Sequence, residues 1–271
     1  MTILQSLILG IVQGITEFLP ISSSGHLVIF EHWFGLQVEQ LRSFDVVVHV
    51  GTLVAILIYF WKDIWNVIQD VLRGKFRMAL YLIVGTIPAV IAGVTFKDSL
   101  DSYFRSVDKV AYAMLGAAVL FVVAEYFGKK RTKSVHVNKS TSVTKECESQ
   151  LNWVGVILIG CLQSLALIPG VSRSGSTISA GLIVGMSREA AARFSFLLGS
   201  IAIFGAGLLT TKDVILAGLY FPGFIISAVG FFASLISGYV SVAFLMKFLK
   251  KNSLHVFAAY LVIVGVLVLL K

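Results

Sequence analysis

The chain has 271 residues, of which 57% are hydrophobic and only 13% are charged, and its mean hydropathy is +0.91. Soluble domains carry roughly 25% charged residues, so this composition excludes an ordinary globular domain and indicates an integral membrane protein. The formal net charge of +8 would by itself suit a nucleic-acid partner. The positions of the basic residues along the chain, described below, explain the charge without such a partner.

The first apolar segment, 2–35, is interrupted in its middle by the polar stretch QGITEFLPISSSGH. Each arm is shorter than the roughly 20 residues that a spanning helix needs, so we predict a re-entrant helical hairpin. Three uninterrupted apolar segments follow, each long enough to cross about 30 Å of hydrocarbon as a helix. They are 44–61, 78–96 and 109–127.

A polar, basic linker, 128–150, joins this first half to a second half with the same plan. The segment 152–186 is again apolar but interrupted, here by PGVSRSG, and predicts a second re-entrant hairpin. Three further spans are predicted at 190–209, 222–246 and 253–270. The predicted fold class is therefore an all-α polytopic membrane protein with six full spans and two hairpins.

The two interrupted segments match at a constant offset of 150 residues. At this offset Gln13 corresponds to Gln163 and Ser22 corresponds to Ser172. The string S-x-S-G therefore occurs at the same position in both interruptions. Each half has three spans, an odd number, so the second half begins on the opposite side of the membrane. We predict two inverted-topology repeats, 1–127 and 151–271, whose hairpin tips meet near the midplane, as in many transporters.

The Lys and Arg residues predict the orientation of the chain. If the linker 128–150 is cytoplasmic, most basic residues of the other loops lie on its side, as the positive-inside rule requires. This asymmetry explains the net charge without nucleic acid, and it predicts that both termini face outward. The linker's basic run is expected to be solvated, with anionic lipid head groups as an alternative contact.

The first hairpin tip combines a carboxylate with residues that favour a helix start. Gln13 and Glu17 lie one helical turn apart on one face. The following polar run supplies N-cap residues and a histidine in the first turn of the next helix; it consists of Ser22, Ser23, Ser24, Gly25 and His26. Isolated histidines elsewhere, such as His49, are expected to be structural or solvated.

The second hairpin tip has the composition of an anion site. Its residues are Ser172, Arg173, Ser174, Gly175 and Thr177. Free N–H groups at a helix start, hydroxyls and an arginine fork suit a phosphate, and two such helix starts suit a diphosphate. We therefore predict that both tips bind the diphosphate of a substrate, the second through these five residues and the first through Ser22, Ser24 and Gly25. Arg173 occupies the position of Ser23 in the repeat. One tip therefore carries a candidate nucleophile and the other a cation, which favours catalysis over transport.

These motifs closely resemble the BacA family of undecaprenyl-diphosphate phosphatases. The similar stretches are Q-x-x-x-E at 13–17, EFLPISSSGH at 17–26 and PGVSRSGST at 169–177, and the resemblance covers essentially the whole chain. It implies removal of the terminal phosphate from undecaprenyl diphosphate, recycling of this lipid carrier for cell-wall synthesis, and bacitracin resistance. It also implies a multi-pass protein of the bacterial inner membrane whose active site opens to the periplasm.

The resemblance further implies a divalent cation, Mg²⁺ or Ca²⁺, and places Glu17, Ser23, His26 and Arg173 at functional positions. The family's first motif position accepts Glu or Gln, and here it is Gln13. Glu17 is expected either to bind the cation, with Gln13 as a neutral ligand, or to orient His26.

Several alternatives stay open at the level of sequence. The nucleophile is Ser23, His26 or an activated water. The rival functions are a lipid-phosphate transporter or flippase that uses the same residues for binding, and a non-catalytic bacitracin-resistance protein. The apolar faces of the spans also leave room for a homodimer.

Overall fold

The structure, a computed structural model, describes residues 1–36, 38–103, 106–131, 143–218 and 222–270. Within these residues all regular structure is helical, which confirms the prediction of an all-α protein. The middle of the predicted linker, residues 132–142, lies outside the described residues.

The described residues form twelve α-helices. Their bounds are α1 (Ile3–Phe18), α2 (Ser23–Trp33), α3 (Val38–Tyr59), α4 (Trp61–Leu72), α5 (Arg77–Tyr103), α6 (Val107–Arg131), α7 (Val143–Gln150), α8 (Trp153–Ser164), α9 (Arg173–Ile183), α10 (Arg188–Leu216), α11 (Phe224–Leu249) and α12 (His255–Leu269). A short 3-10 helix, Leu165–Leu167, follows α8.

Four helices of the described chain are long and apolar enough to cross a membrane. They are Arg77–Phe96, Val107–Lys129, Arg188–Leu216 and Phe224–Leu249, and the bent pair Ser43–Tyr59 and Trp61–Leu72 adds a fifth if it is counted as one span. The sixth predicted span forms α12, which has only 15 residues. The chain is therefore a multi-pass membrane protein, and the count of six spans stays a prediction.

The predicted span 44–61 does not continue straight into a loop. The chain bends by 71° at Phe60 and continues as α4. Trp61, Trp65 and Leu72 recur at helical spacing on α4 and are all exposed, as expected for one apolar face of an amphipathic helix. Sequence reasoning missed this helix because its polar residues were assigned to a connection between spans.

Each predicted hairpin is a pair of short helices separated by a break. Pro20 lacks an N–H and cannot continue α1, which ends at Phe18. In the second hairpin the break contains Pro169 and Gly170, and Gly170 has a φ of 101°, which favours glycine.

The first helix of each hairpin crosses a helix from the other half of the chain at close range. A Cβ on Gly10 of α1 would lie 2.7 Å from the carbonyl oxygen of Gly230 on α11. A Cβ on Gly160 of α8 would lie 2.6 Å from the carbonyl oxygen of Gly85 on α5. Only glycine allows the backbones of these helix pairs to approach so closely at the two positions.

Candidate active site

The two hairpin tips meet through the N-terminal ends of α2 and α9. Ser22 caps α2 by accepting a hydrogen bond from the Gly25 N–H at 3.3 Å, and Ser172 caps α9 by accepting one from the Gly175 N–H at 3.1 Å. The Ser174 hydroxyl donates to the Leu19 carbonyl across the tips at 3.4 Å. Both predicted helix starts therefore occur, and they lie against each other.

Glu17 lies at the centre of this junction and is only 7% exposed. Its Oε1 atom accepts a hydrogen bond from the Arg173 guanidinium at 2.6 Å. Its Oε2 atom accepts hydrogen bonds from the Ser23 hydroxyl at 2.6 Å and from the Gln13 amide at 3.0 Å. The carboxylate in an apolar chain is thus paired with a cation and two polar donors, as burial of a charge requires.

Arg173 reaches Glu17 because α10 leaves room for the guanidinium. A Cβ on Gly199 would lie 1.8 Å from the Arg173 Nη1 atom, so a larger residue at this position and the observed arginine side chain exclude each other. The side chain of Arg173 is 17% exposed, so the ion pair is largely shielded from water. Electrostatic attraction is stronger in such a shielded place than in solvent.

His26 does not contact Glu17 or Ser23 in the manner that the sequence left open. Its Nδ1 atom lies 2.8 Å from the Ser22 carbonyl oxygen, and its Nε2 atom lies 2.8 Å from the Tyr260 hydroxyl. Of the two roles that the sequence left open for Glu17, orientation of His26 is not made by a direct hydrogen bond in this structure, because both ring nitrogens bond elsewhere.

The remaining predicted residues line the two helix starts. Gly25 and Gly175 pack against α6, where a Cβ would meet Met114 and Phe121 respectively. The Thr177 hydroxyl bonds to the Arg173 carbonyl at 2.8 Å and so supports the first turn of α9. Ser24 is half-buried on the first turn of α2. The polar groups directed at one another are those of Gln13, Glu17, Ser23 and Arg173, and binding of a diphosphate by the other residues of the two tips stays a prediction.

Sequence reasoning missed two residues at this site. His49, expected to be structural or solvated, has its Nε2 atom 3.9 Å from Glu17 Oε2, and its Nδ1–H donates to the Asp45 carbonyl at 2.7 Å. Tyr260 comes from the last helix, α12. The offset of 150 pairs His49 with Gly199. Because Gly199 lies beside Arg173 in the structure, this pairing would have indicated that His49 lies beside the first tip, but the contact of Gly199 with Arg173 is not visible in the sequence.

The donor set is compatible with a divalent cation that has few protein ligands. Gln13 Oε1 is buried, and none of the described residues forms a hydrogen bond with it. The amide nitrogen of the same side chain contacts Glu17. Among the described residues no group of three His, Cys, Asp or Glu side chains could hold a metal ion. Mg²⁺ commonly binds through one or two carboxylates together with substrate phosphates, and such an arrangement fits Glu17 and Gln13.

The sequence as a whole matches the model of one protein family, described as bacitracin resistance protein BacA, over residues 6–267. The chain belongs to the BacA family. A protein from Chlorobium phaeovibrioides named undecaprenyl-diphosphatase is 41% identical over 284 aligned residues, covering 100% of this chain and 97% of that protein. Undecaprenyl-diphosphatases from Halothermothrix orenii and Methanosphaera stadtmanae are 38% and 40% identical, with coverage of 97% or more on both sides. The BacA resemblance read from the motifs is thereby confirmed.

Proposed function

We propose that this BacA-family chain is an integral membrane phosphatase that hydrolyses undecaprenyl diphosphate to undecaprenyl phosphate and inorganic phosphate. The observation that carries the proposal is the geometry of Glu17: one carboxylate oxygen binds the Ser23 hydroxyl at 2.6 Å and the other binds Arg173 at 2.6 Å. A base, a nucleophile and a phosphate-binding cation therefore share one buried site. The three named relatives are all called undecaprenyl-diphosphatase, and the recycled product would serve cell-wall synthesis and bacitracin resistance.

The diphosphate of the substrate competes with Glu17 for Arg173. Its oxygens would accept the guanidinium hydrogen bonds, assisted by the N–H groups at the starts of α2 and α9. Release from the ion pair leaves the Glu17 carboxylate a better base, still in contact with the Ser23 hydroxyl. Phosphoryl transfer depends mainly on such positioning and charge neutralisation.

In the chemical step Ser23 Oγ attacks the terminal phosphorus and passes its proton to Glu17. The Oγ–phosphorus bond forms as the bond from this phosphorus to the bridging oxygen breaks, and undecaprenyl phosphate leaves. Water then attacks the phosphorus of the phosphoserine as the Oγ–phosphorus bond breaks. Glu17 returns its proton to Ser23 Oγ, which restores the hydroxyl and the carboxylate, and the proton displaced from water leaves with inorganic phosphate. His26 is not the nucleophile in this scheme because both of its nitrogens are already bonded.

A divalent cation, Mg²⁺ or Ca²⁺, would be held by Glu17 and the free Oε1 of Gln13, and when bound it supplies further neutralisation of the diphosphate charge. The residues of the chain would orient the substrate independently of this contribution, through Arg173 and the two helix starts.

The membrane arrangement that we propose is the one indicated by the sequence. The halves 1–127 and 151–271 would be inverted repeats with six spans in the bacterial inner membrane. Both termini and the site would face the periplasm, and the linker 128–150 the cytoplasm. The paired glycine crossings of α1 on α11 and α8 on α5 support a repeat, and the exposed apolar faces of the spans are compatible with a homodimer.

The decisive experiment supplies a polyprenyl diphosphate to the purified protein in detergent, with and without EDTA, and measures released phosphate. The Ser23→Ala variant, prepared in the same way, is the control for contaminating phosphatases. Phosphate release that depends on Ser23 supports the enzyme. Binding of the lipid without release under any divalent cation would contradict it and would favour a transporter.

A further inference from the structure

The break between α1 and α2 contains a strained residue next to the proposed nucleophile. Ser22 has a φ of 71°, and it is the one non-glycine residue with a positive φ among the described residues. Residues other than glycine rarely adopt this backbone conformation, and it persists only where the surrounding contacts enforce it. Because Ser22 precedes Ser23 directly, this backbone turn determines where the Ser23 hydroxyl points.

His26 holds this strained turn from the next turn of α2. The Ser22 carbonyl can only accept hydrogen bonds, so the proton of the neutral imidazole lies on Nδ1 and is donated to it at 2.8 Å. The backbone N–H of His26 donates to the same carbonyl at 3.2 Å. The ring is 6% exposed, and its Nδ1 proton is committed to the backbone of the turn.

Tyr260 fixes the opposite edge of the same ring. With Nδ1 protonated, Nε2 is an acceptor, and the Tyr260 hydroxyl donates to it at 2.8 Å. The two rings are also stacked, with centroids 5.7 Å apart and an interplanar angle of 16°. Tyr260 lies on α12, which packs against α6, and α6 in turn contacts Gly25 at the start of α2.

The second tip has no such device. Ser176 stands at the position of His26, 150 residues further on, and Ser172, the counterpart of Ser22, has an ordinary φ of −70°. The pinned turn therefore occurs only in the hairpin that carries the serine nucleophile, although both hairpins have the same serine cap.

We infer that Tyr260 and His26 are positioning residues: Tyr260 clamps the His26 ring, and His26 holds the strained Ser22 turn so that the Ser23 hydroxyl meets Glu17. In this role His26 neither accepts a proton from the substrate nor forms a bond to phosphorus. The inference rests on the proposed phosphatase function and adds Tyr260, from the far end of the chain, to its machinery.

The first test is Tyr260→Phe, which removes the hydroxyl and keeps the stacked ring. Loss of one hydrogen bond of this kind predicts a kcat about three- to tenfold lower, with KM changed less than about twofold. The pH profile of kcat keeps its shape. The matched control is Tyr239→Phe, because Tyr239 is similarly exposed (42% against 39%) and packs against Tyr59. A Tyr260→Phe enzyme equal to wild type would overturn the inference.

The second test compares His26→Asn with His26→Ala. The asparagine amide can replace Nδ1 as a donor to the Ser22 carbonyl but cannot act as a base or nucleophile. We expect His26→Asn to retain activity within about threefold of Tyr260→Phe and His26→Ala to lose far more. If His26→Asn is as inactive as His26→Ala, or if it deletes one limb of the pH profile, His26 takes part in the chemistry and the inference fails.

A third measurement does not depend on activity. Nitrogen NMR of histidine-labelled protein reports which ring nitrogen of His26 carries the proton, and we expect Nδ1 in the wild type and a shifted Nε2 resonance in Tyr260→Phe. A proton on Nε2 would overturn the inference even if the enzyme is active. If instead the wild type releases no phosphate but shows the expected tautomer, the proposed function fails and the clamp does not.

Discussion

The two hairpin tips have similar sequences and different tasks. Both begin a helix with a capping serine, at Ser22 and Ser172. The first then presents the small hydroxyl of Ser23, with a carboxylate behind it, whereas the second presents the long cation of Arg173. In the proposed function the two tips therefore supply complementary halves of one phosphate site, whereas two copies of either tip would give only two nucleophiles or two cations.

The residues beside the two tips also differ in size. On the constant offset of 150, His49 corresponds to Gly199. The small Ser23 is matched by a histidine beside Glu17, and the large Arg173 is matched by a glycine that leaves it space. At each tip a small residue thus stands with a large one, and the two tips differ in charge.

Removal of the first tip's hydroxyl should have the largest effect. Ser23→Ala deletes the proposed nucleophile and is expected to lower phosphate release at least about a thousandfold. Ser164→Ala should stay within about threefold of wild type. Ser164 is a suitable control because it is also half-buried and its hydroxyl only bonds to the Gly160 carbonyl within α8, at 3.2 Å. Near-full turnover by Ser23→Ala would exclude serine as the nucleophile.

Removal of the second tip's cation should have the next largest effect. Arg173→Ala is expected to lower kcat/KM by roughly a hundred- to a thousandfold, because it deletes charge stabilisation of the diphosphate. It also leaves Glu17 buried without its cation, a loss that costs about 3–5 kcal/mol in comparable buried pairs and should lower the thermal midpoint in detergent. Arg173→Lys restores the charge but not the fork and should recover only part of the activity. Retained activity in Arg173→Ala would refute the role assigned to this tip.

The space beside Arg173 can be tested without changing any polar group. Gly199→Ala adds a methyl group where a Cβ would lie 1.8 Å from Nη1. Displacement of the guanidinium by about 1 Å should lower kcat/KM by up to about a hundredfold. Gly205→Ala on the same helix is the matched control, because a Cβ there would have no neighbour within 4 Å in the part of the chain that the structure describes. Equal activity of the two variants would show that the position of Arg173 does not limit the reaction.

The smallest expected effect is a change in the cation requirement, and it distinguishes Gln13 from Gln163, the glutamine at the corresponding position of the second half. Gln13→Glu places a second carboxylate beside Glu17, so the divalent cation concentration for half-maximal activity should fall about three- to tenfold. Gln163→Glu places the charge beside the Gly85 carbonyl, which the Gln163 amide contacts at 3.4 Å, and should instead lower the yield of folded protein. A cation requirement unchanged by Gln13→Glu would argue against Gln13 as a ligand.

Much of the site could be predicted from local sequence. Pro20 stops α1, the serine runs cap α2 and α9, and Gln13 and Glu17 share a helix face, because these effects act within one or two turns. The S-x-S-G repeat then indicated that the two tips belong together. The bend at Phe60 and the helix after it were not predicted. An amphipathic helix and a polar connection both end an apolar run with polar residues, so the sequence pattern does not distinguish them.

The sequence by itself thus determined the membrane class, the two broken hairpins and the chemical character of each tip. Only the tertiary structure decided that Glu17 pairs with Arg173, 156 residues away, that His26 turns to Tyr260, and that His49 and Gly199 face the two tips. Such contacts depend on how packed helices rotate and cross, and the close crossings at glycines help to set this geometry. A local sequence pattern therefore cannot predict these contacts.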